Sequence, residues 1–337
     1  MKKLFTIFLS LLMLFSATTL FACKNEEQSD VKQLSFYAPD GAPALAVAKF
    51  IKDKEDFGID GEISYNVVSS SEIGGIMSQG KGDFIVMPIN AASKLYKANS
   101  DSPYVMASVI THGNLYIMSS DGTNSLSGLK GKVVGVIGRG LVPDLTLRAI
   151  LSQEQLLADV VEDDTATDGK ITLRYFADAS EMLPMLKQGK LSVGLLPEPA
   201  ATKLTVIAPD KTWTRLDVQE LYDAETKSYP QAVLMVKKSV YEPFRNQINQ
   251  MANLFAENVN WIKTNTEEAV NAVNSRLKEG VTPSLVASNI TPAVVDNCKI
   301  YYQSAKNAKA DVTSYLNKIM SIDDKAVKIV GDDFFAN

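Results

Sequence analysis

Short apolar runs alternate with longer amphipathic stretches through much of the chain. The runs are Leu34–Ala38, Ile63–Val68, Phe84–Met87, Lys132–Ile137, Ile171–Phe176 and Val193–Leu196. Short apolar runs bounded by turn residues are typical of buried strands, whereas helical spacing, as at Leu45, Ala48 and Ile51, indicates an amphipathic helix. This alternation predicts an α/β fold with parallel strands joined by right-handed crossovers.

One stretch of sequence resembles another stretch 109 residues later, and the two align without a gap. Residues 109 apart are identical where Gln79-Gly80-Lys81 meets Gln188-Gly189-Lys190, where Pro88 meets Pro197, and where Ala91-Ala92 meets Ala200-Ala201. Each copy has a strand, a Ser-Glu helix start, a helix ending near Gly, and a buried strand ending in Pro. Because a further strand and helix precede each copy, the repeat predicts two related α/β lobes. The alternative is coincidence between two common helix-Gly-strand-Pro patterns.

The carboxyl ends of the predicted strands indicate where a ligand would bind. Parallel sheets hold ligands outside these ends, where helix N-termini also point. This places a ligand cleft between the lobes. One rim contains Asp40, Gly41, Ala42, Ser70, Ser71, Glu72, Pro88 and Asn90, and the other contains Gly138, Arg139, Gly140, Asp178, Ser180, Pro197 and Glu198.

The rim residues leave the ligand's chemistry open. Helix N-termini favour an oxyanion, whereas the acidic rim residues favour an amine or a ring with donors, unless they are only helix caps. Tyr37, Tyr116 and Tyr229 lie near strand ends or crossovers and could stack on a flat heterocycle or simply pack in the core. Arg139 could bind a ligand acid or an acid of the opposite rim, or could be a solvated cation.

Composition excludes several functional classes. The 337 residues include one His and two Cys, with a formal net charge of −5. They therefore cannot supply a multi-histidine metal site or a disulfide framework, and a sequence pI near 5.2 disfavours a nucleic-acid partner. Gly138-Arg139-Gly140 lacks the third glycine of a dinucleotide-binding loop, because Pro143 occupies that position. We expect no metal and no cofactor.

The N-terminus has the pattern of a secretory signal. Lys2 and Lys3 precede an uncharged run that ends in Leu20-Phe21-Ala22-Cys23. These last four residues resemble the bacterial lipobox, and the resemblance implies a signal peptide over residues 1–22 and a lipid, including palmitate, on Cys23. The alternative is an ordinary signal peptide with an incidental Cys. Residues 23–33 are mostly polar and predict a tether to the membrane.

Several motifs together resemble a transporter family. They are Tyr37 to Ala46 (YAPDGAPALA), Gly80-x-x-Asp83 with Pro88, Tyr229 to Val233 (YPQAV) and Asp332 to Phe335 (DDFF). In this order they are similar to substrate-binding lipoproteins of ABC transporters, in the branch related to nitrate, sulfonate, taurine and thiamine-pyrimidine binders. The resemblance implies a two-lobed type II periplasmic-binding-protein fold, with a mainly parallel, helix-flanked sheet in each lobe.

Two crossings between lobes are expected in such a fold. They predict a first lobe of residues 31–111 plus 228–337 and a second lobe of residues 112–227. Asn114 and Tyr116 then lie beside the hinge, as does His112, which we interpret as a hydrogen-bonded structural residue rather than a ligand contact or pH sensor.

The resemblance implies a monomeric extracytoplasmic receptor that is not an enzyme. By closing its hinge it would deliver a small organic solute, either a vitamin-precursor-like heterocycle or a small oxyanion, to an ABC permease and its ATPase. The alternatives are an enzyme on the same fold acting on a small carboxylate, and a surface ligand sensor.

Overall fold

Twelve strands and fourteen α-helices are found in the described part of a computed structural model, which covers residues 33–59, 61–98 and 101–337. The predicted signal peptide, Cys23 and most of the tether lie outside these residues. The strands are β1 (Gln33–Pro39), β2 (Glu62–Val68), β3 (Phe84–Pro88), β4 (Tyr104–His112), β5 (Leu115–Ser119), β6 (Lys132–Ile137), β7 (Val160–Glu162), β8 (Ile171–Phe176), β9 (Val193–Pro197), β10 (Thr214–Asp217), β11 (Pro230–Lys237) and β12 (Ile300–Ser304).

The helices connect these strands and then fill most of the C-terminal part of the chain. They are α1 (Ala42–Leu45), α2 (Ala48–Asp53), α3 (Ile73–Ser78), α4 (Ile89–Ala98), α5 (Val142–Gln153), α6 (Ala179–Lys187), α7 (Ala200–Ile207), α8 (Val218–Tyr222), α9 (Lys238–Tyr241), α10 (Arg245–Asn249), α11 (Met251–Thr264), α12 (Thr266–Asn274), α13 (Pro292–Asn297) and α14 (Ala305–Met320).

The strands form two six-stranded sheets. The first has the order β12-β4-β11-β3-β1-β2, and the second has the order β10-β5-β9-β6-β8-β7. We call each sheet with its flanking helices a lobe. In both lobes three parallel strands have the same relative order, β2-β1-β3 in the first and β8-β6-β9 in the second. This arrangement confirms the predicted two-lobed α/β class.

Antiparallel strands complete both sheets, which are therefore mixed. Strand β11 runs antiparallel to β3 and β4, and β12 runs antiparallel to β4; in the second lobe β5 runs antiparallel to β9 and β10. The parallel strands β1, β2, β3, β6, β8 and β9 belong to the repeated units, whereas β7, which also runs parallel to β8, does not. The antiparallel strands come largely from segments near the crossings and from the C-terminal region, whose chain direction the repeat did not predict.

The predicted repeat is also confirmed at the level of single hydrogen bonds. Gly80 and Gly189 both have positive φ, at 65° and 72°. The amide of Gly80 donates to Met77 O and that of Lys81 to Ile76 O, and the equivalent bonds 109 residues later join Gly189 to Leu186 and Lys190 to Met185. Glycine suits this left-handed position because it has no Cβ. The two copies therefore end their helices with the same turn.

The helix predicted from the spacing of Leu45, Ala48 and Ile51 is instead divided into α1 and α2. The side chain of Asn258 on α11 occupies the break: its Nδ2 donates to Leu45 O and Ala46 O, and its Oδ1 accepts from Lys49 N. Pro43 lies in the first turn of α1, where its missing N–H would have no partner within the helix. The sequence pattern did not predict the break because it depends on a residue more than two hundred positions away.

The chain crosses between the sheets at two places. The first is the short turn from β4 to β5, which contains Gly113 and Asn114, and the second runs from β10 through α8 to β11. Beside these crossings Tyr222, Tyr229 and Tyr315 pack with ring centroids 5.0 to 6.0 Å apart. Thr146 Oγ1 on α5 lies 3.1 Å from the Tyr315 hydroxyl on α14. The two lobes are thus packed together near the crossings.

Candidate functional site

The ends of β3 and β6 meet between the lobes. Asn90, at the start of α4, is 1% exposed, and its Nδ2 donates to Gly140 O of the second lobe at 2.9 Å. Both residues belong to the predicted rims, and the structure brings them into direct contact. Asn90 Oδ1 is buried without a hydrogen-bond partner among the described residues, so an acceptor is available at this contact.

A second bridge lies at the end of the neighbouring strand β1. Asp40 Oδ2 accepts from Ser284 N at 2.7 Å, and Lys203 Nζ, on α7 of the second lobe, donates to Ser284 O at 3.2 Å. Ser284 Oγ is buried beside this carboxylate and makes no well-formed hydrogen bond within the described residues. A carboxylate, a hydroxyl and an ammonium group therefore converge where the lobes meet.

The electrostatics of Asp40 are balanced by its surroundings. Burial raises the pKa of its carboxyl, because the charged form loses hydration. Hydrogen bonds from Ser284 and from Gly41 N, which lies 2.8 Å from Oδ1, act in the opposite direction, and so does the positive charge of Lys203. Net desolvation at this carboxylate means that a donor from a bound molecule would be well placed to stabilise its charge.

Glu198 belongs to a separate cluster within the second lobe. Its side chain is fully buried, and Oε1 accepts from Arg215 Nη2 at 2.7 Å and from Thr202 Oγ1 at 2.8 Å. The Arg215 guanidinium carbon lies 3.5 Å from the centroid of the Tyr116 ring. Glu198 N donates to Asn114 O at 2.9 Å. The rim residue Glu198 and the hinge residues Asn114 and Tyr116, all predicted to bind ligand, are thus linked beside the first crossing.

Two predicted rim residues form a helix cap. Asp178 Oδ1 accepts from the amides of Ser180 and Glu181 at the start of α6, and also from the Ser180 hydroxyl at 2.6 Å. Glu181 in turn accepts from Ala177 N at 3.0 Å. These bonds cap the N-terminus of α6. Asp178 and Ser180 are exposed and have their polar groups committed to the cap.

Two other predicted residues are also engaged elsewhere. Tyr229 is 3% exposed, lies in the tyrosine cluster and donates to Gln219 Oε1 at 3.1 Å. Arg139 is exposed and pairs with Glu162 of its own lobe, rather than with an acid of the opposite rim. Its guanidinium carbon also lies 5.3 Å from the Tyr175 ring centroid.

A groove of about 710 Å³ lies on the first lobe and is lined by two further rim residues, Ser71 and Glu72, and by Tyr37. It runs between α3, the outer face of β2 and residues 275–278. Glu72 is bound there by Lys278 Nζ at 2.5 Å. Because Ser71 lines this groove whereas Ser180 belongs to a helix cap, the two repeat-related serines have different surroundings. Ser70, beside the groove, is exposed.

The remaining rim residues supply backbone at the strand ends. Pro88 and Pro197 end β3 and β9 and are half-buried, Ala42 begins α1 and is buried, and Gly138 has a φ of 66°. Sequence reasoning missed Lys203, Ser284 and Arg215. The repeat contained a signal for Lys203, since it is the counterpart of Lys94 in the identical Lys-Leu pair of the first copy.

The described residues contain no group of three His, Cys, Asp or Glu side chains that could hold a metal ion. In the same part of the chain, no helix is long and apolar enough to cross a membrane.

Comparisons with known proteins identify similar folds. No protein-family model and no curated protein matches the sequence. A solved structure described as an ABC transporter from Parabacteroides distasonis is 21% identical, with a TM-score of 0.70, over 91% of this chain and 99% of that one. The chain shares its fold.

Two transport components with more specific descriptions have the same fold. The periplasmic aliphatic sulphonate-binding protein SsuA from Escherichia coli has a TM-score of 0.61 and 12% identity, over 90% of this chain and 96% of that one. The ligand-binding component of an ABC-type import system from Staphylococcus aureus, solved with zinc bound, has a TM-score of 0.59 and 10% identity, over 91% and 96%. These similarities confirm the expected two-lobed periplasmic-binding-protein fold.

Proposed function

We propose that this protein is an extracytoplasmic solute-binding protein of an ABC importer. It is anchored by lipid on Cys23, binds a small organic solute between its lobes as a monomer, and delivers the solute to a permease and its ATPase. Residues 31–111 with 228–337 and residues 112–227 are the two bodies that move about the hinge. The fold supports this proposal, and the main observation behind it is the set of polar contacts between the lobes at Asn90, Asp40 and Lys203.

The chemistry of these contacts favours a solute with hydrogen-bond donors. The buried Oδ1 of Asn90 lacks a partner among the described residues, and Asp40 is a desolvated carboxylate beside the Ser284 hydroxyl. Buried acceptors left unpaired are costly, so a molecule that donates to them gains affinity. Lys203 adds one cationic donor from the opposite lobe. A small polar heterocycle bearing N–H groups satisfies this set better than an oxyanion, which Asp40 would repel.

Reversible binding accounts for these residues without covalent chemistry. The buried His112 stacks on Tyr301 with the ring centroids 3.6 Å apart and contacts Gln303, so its ring is engaged away from Asp40 and Lys203. Burial raises the pKa of the Cys298 thiol, which disfavours its nucleophilic thiolate form. If incubation with the retained solute yielded a chemically altered product, the enzyme alternative would replace this proposal.

The direct test is mass spectrometry of solute retained by the purified full-length protein, followed by calorimetric titration. We expect Asp40→Asn to weaken binding of a donor-bearing solute by at least about tenfold, because a charge-assisted hydrogen bond contributes more than a neutral one. Asp53→Asn is the matched control, since Asp53 is exposed and pairs with Lys49 on the same lobe. Equal affinities of the two variants would refute the assignment of Asp40 to the solute site.

A further inference from the structure

We propose that Asp144 is a positioning residue that sets the loop Gly138–Gly140 for a hydrogen-bonded latch with Asn90. The inference rests on the proposed function, because the latch regulates the balance between open and closed lobes around the solute site.

The carboxylate of Asp144 is bound on both sides. The residue is 3% exposed; Oδ2 accepts from Gly140 N at 2.8 Å, while Oδ1 accepts from Arg148 Nε at 2.9 Å and from the Tyr175 hydroxyl at 2.8 Å. A buried carboxylate is tolerated only when its oxygens are well satisfied. Both oxygens of Asp144 are therefore committed, one to the loop and the other to the body of the second lobe.

Arg148 fixes this carboxylate to the sheet. Its Nη2 donates to Glu162 Oε1 at 2.6 Å and to the Tyr175 hydroxyl at 2.8 Å. Glu162 is on β7 and Tyr175 on β8, so the guanidinium connects α5 to two strands. A planar guanidinium holds such a geometry more rigidly than an ammonium group. The Gly140 amide is thus attached to a rigid part of the lobe.

The loop itself has a backbone that needs an external constraint. Gly138 and Gly140 have φ values of 66° and 69°, and glycine reaches such values but also many others. Leu141 N donates to Gly138 O at 2.8 Å, which closes the turn. With its N–H held by Asp144, Gly140 is the residue whose carbonyl accepts from Asn90.

The latch is partly buried and joins the lobes directly. Asn90 Nδ2 reaches Gly140 O at 2.9 Å and is 3.4 Å from Ala326 O. Opening the lobes would separate Asn90 from Gly140 while both remain attached to their own strands, β3 and β6. The strength of this contact therefore contributes to the closed state, and Asp144 controls it by positioning the loop.

The test measures lobe separation without solute. Fluorophores are attached through unnatural amino acids at exposed Glu267 of the first lobe and exposed Ala166 of the second in the full-length protein. We expect Asn90→Leu, which nearly keeps the volume and removes the donor without adding a charge, to lower the closed-to-open ratio at least about fivefold, the effect of losing one net hydrogen bond. Asp144→Asn should cause a similar fall, since one amide cannot accept on both sides.

A double-mutant cycle separates positioning from general stability. If Asp144 acts through the latch, Asp144→Asn adds little further change in the Asn90→Leu background. Asp178→Asn is the matched control, because Asp178 also accepts backbone amides in the second lobe but contacts only its own helix start. The proposal would be overturned if the effects of the two substitutions on the closed-to-open ratio were fully additive, or if Asp144→Asn left that ratio unchanged. Solute retention is measured separately, so loss of the latch and failure of the transport role remain distinguishable.

Discussion

His112 shows how a single residue's environment changes its chemistry. Its side chain is 3% exposed, stacks on Tyr301 and contacts Gln303 Oε1 at 3.1 Å. Burial lowers its pKa to about 4, although Gln303 and the charge of Asp311 act in the opposite direction. The ring is therefore neutral in the folded protein throughout the neutral range, as expected for a structural residue beside the hinge.

This lowered pKa predicts a pH dependence of stability. Between about pH 6.5, where an unfolded histidine titrates, and about pH 4, the unfolded chain binds a proton that the folded protein does not. Stability therefore falls as the pH is lowered through this range, by about 2.5 kcal/mol at pH 4.5, and is unaffected by His112 above it. Urea unfolding of wild type and His112→Gln at pH 7.5 and 4.5 measures the difference, since carboxylates titrate in both proteins. Parallel stability curves would contradict this prediction.

At the scale of elements, Asn258 joins α11 to the break between α1 and α2. The residue is fully buried and makes three side-chain hydrogen bonds of 2.8 to 3.0 Å to backbone atoms of that break. Polar residues on the buried face of a helix are uncommon unless their groups are satisfied. The break between α1 and α2 therefore depends on the Asn258 side chain, and the buried polar groups of Asn258 depend in turn on the backbone atoms of that break.

We expect Asn258→Ala to destabilise the protein by about 3 kcal/mol, because it leaves a buried N–H and two carbonyls unpaired. Asn260→Ala is the control on the same helix: Asn260 is exposed, and alanine has the higher helix propensity, so its effect should be within about 0.5 kcal/mol. Chemical denaturation at neutral pH gives both values. Equal stabilities of the two variants would show that the break in the helix does not need Asn258.

Sequence patterns predicted the elements whose determinants are local. The strands β6 and β8 have the predicted bounds, and the helix stops at Gly80 and Gly189 follow from glycine at a left-handed position. Strand β12 was not predicted, because it pairs with β4 from far along the chain. For the candidate site, too, the sequence predicted only the residues whose position follows from local pattern. Strand ends identified Asn90 and Gly140, but nothing local indicates that Ser284 and Lys203 meet.

For the whole molecule, the important feature is an apolar core that continues from one lobe to the other. One cluster of buried residues extends from Phe36 and Phe84 in the first lobe to Leu147 and Leu195 in the second. A smaller cluster, including Met182 and Leu186, covers the other face of the second sheet. Strands of the second lobe are therefore packed between the two clusters, which links their stability to that of the first lobe.

The two tryptophans of the chain test this linkage, because each reports on one lobe. Trp261 packs against the large cluster and Trp213 against the smaller one, with its Nε1 donating to Ala208 O at 3.3 Å. Since the core is continuous, we expect a single cooperative transition. Trp213→Phe keeps only the Trp261 signal, and Trp261→Phe keeps only the Trp213 signal. For each variant, the urea midpoint of tryptophan fluorescence is measured relative to the circular-dichroism midpoint of the same variant. The two relative midpoints should therefore be equal. An earlier midpoint for the Trp213 signal would instead show that the second lobe unfolds alone, and that packing near the crossings is too weak to couple the lobes.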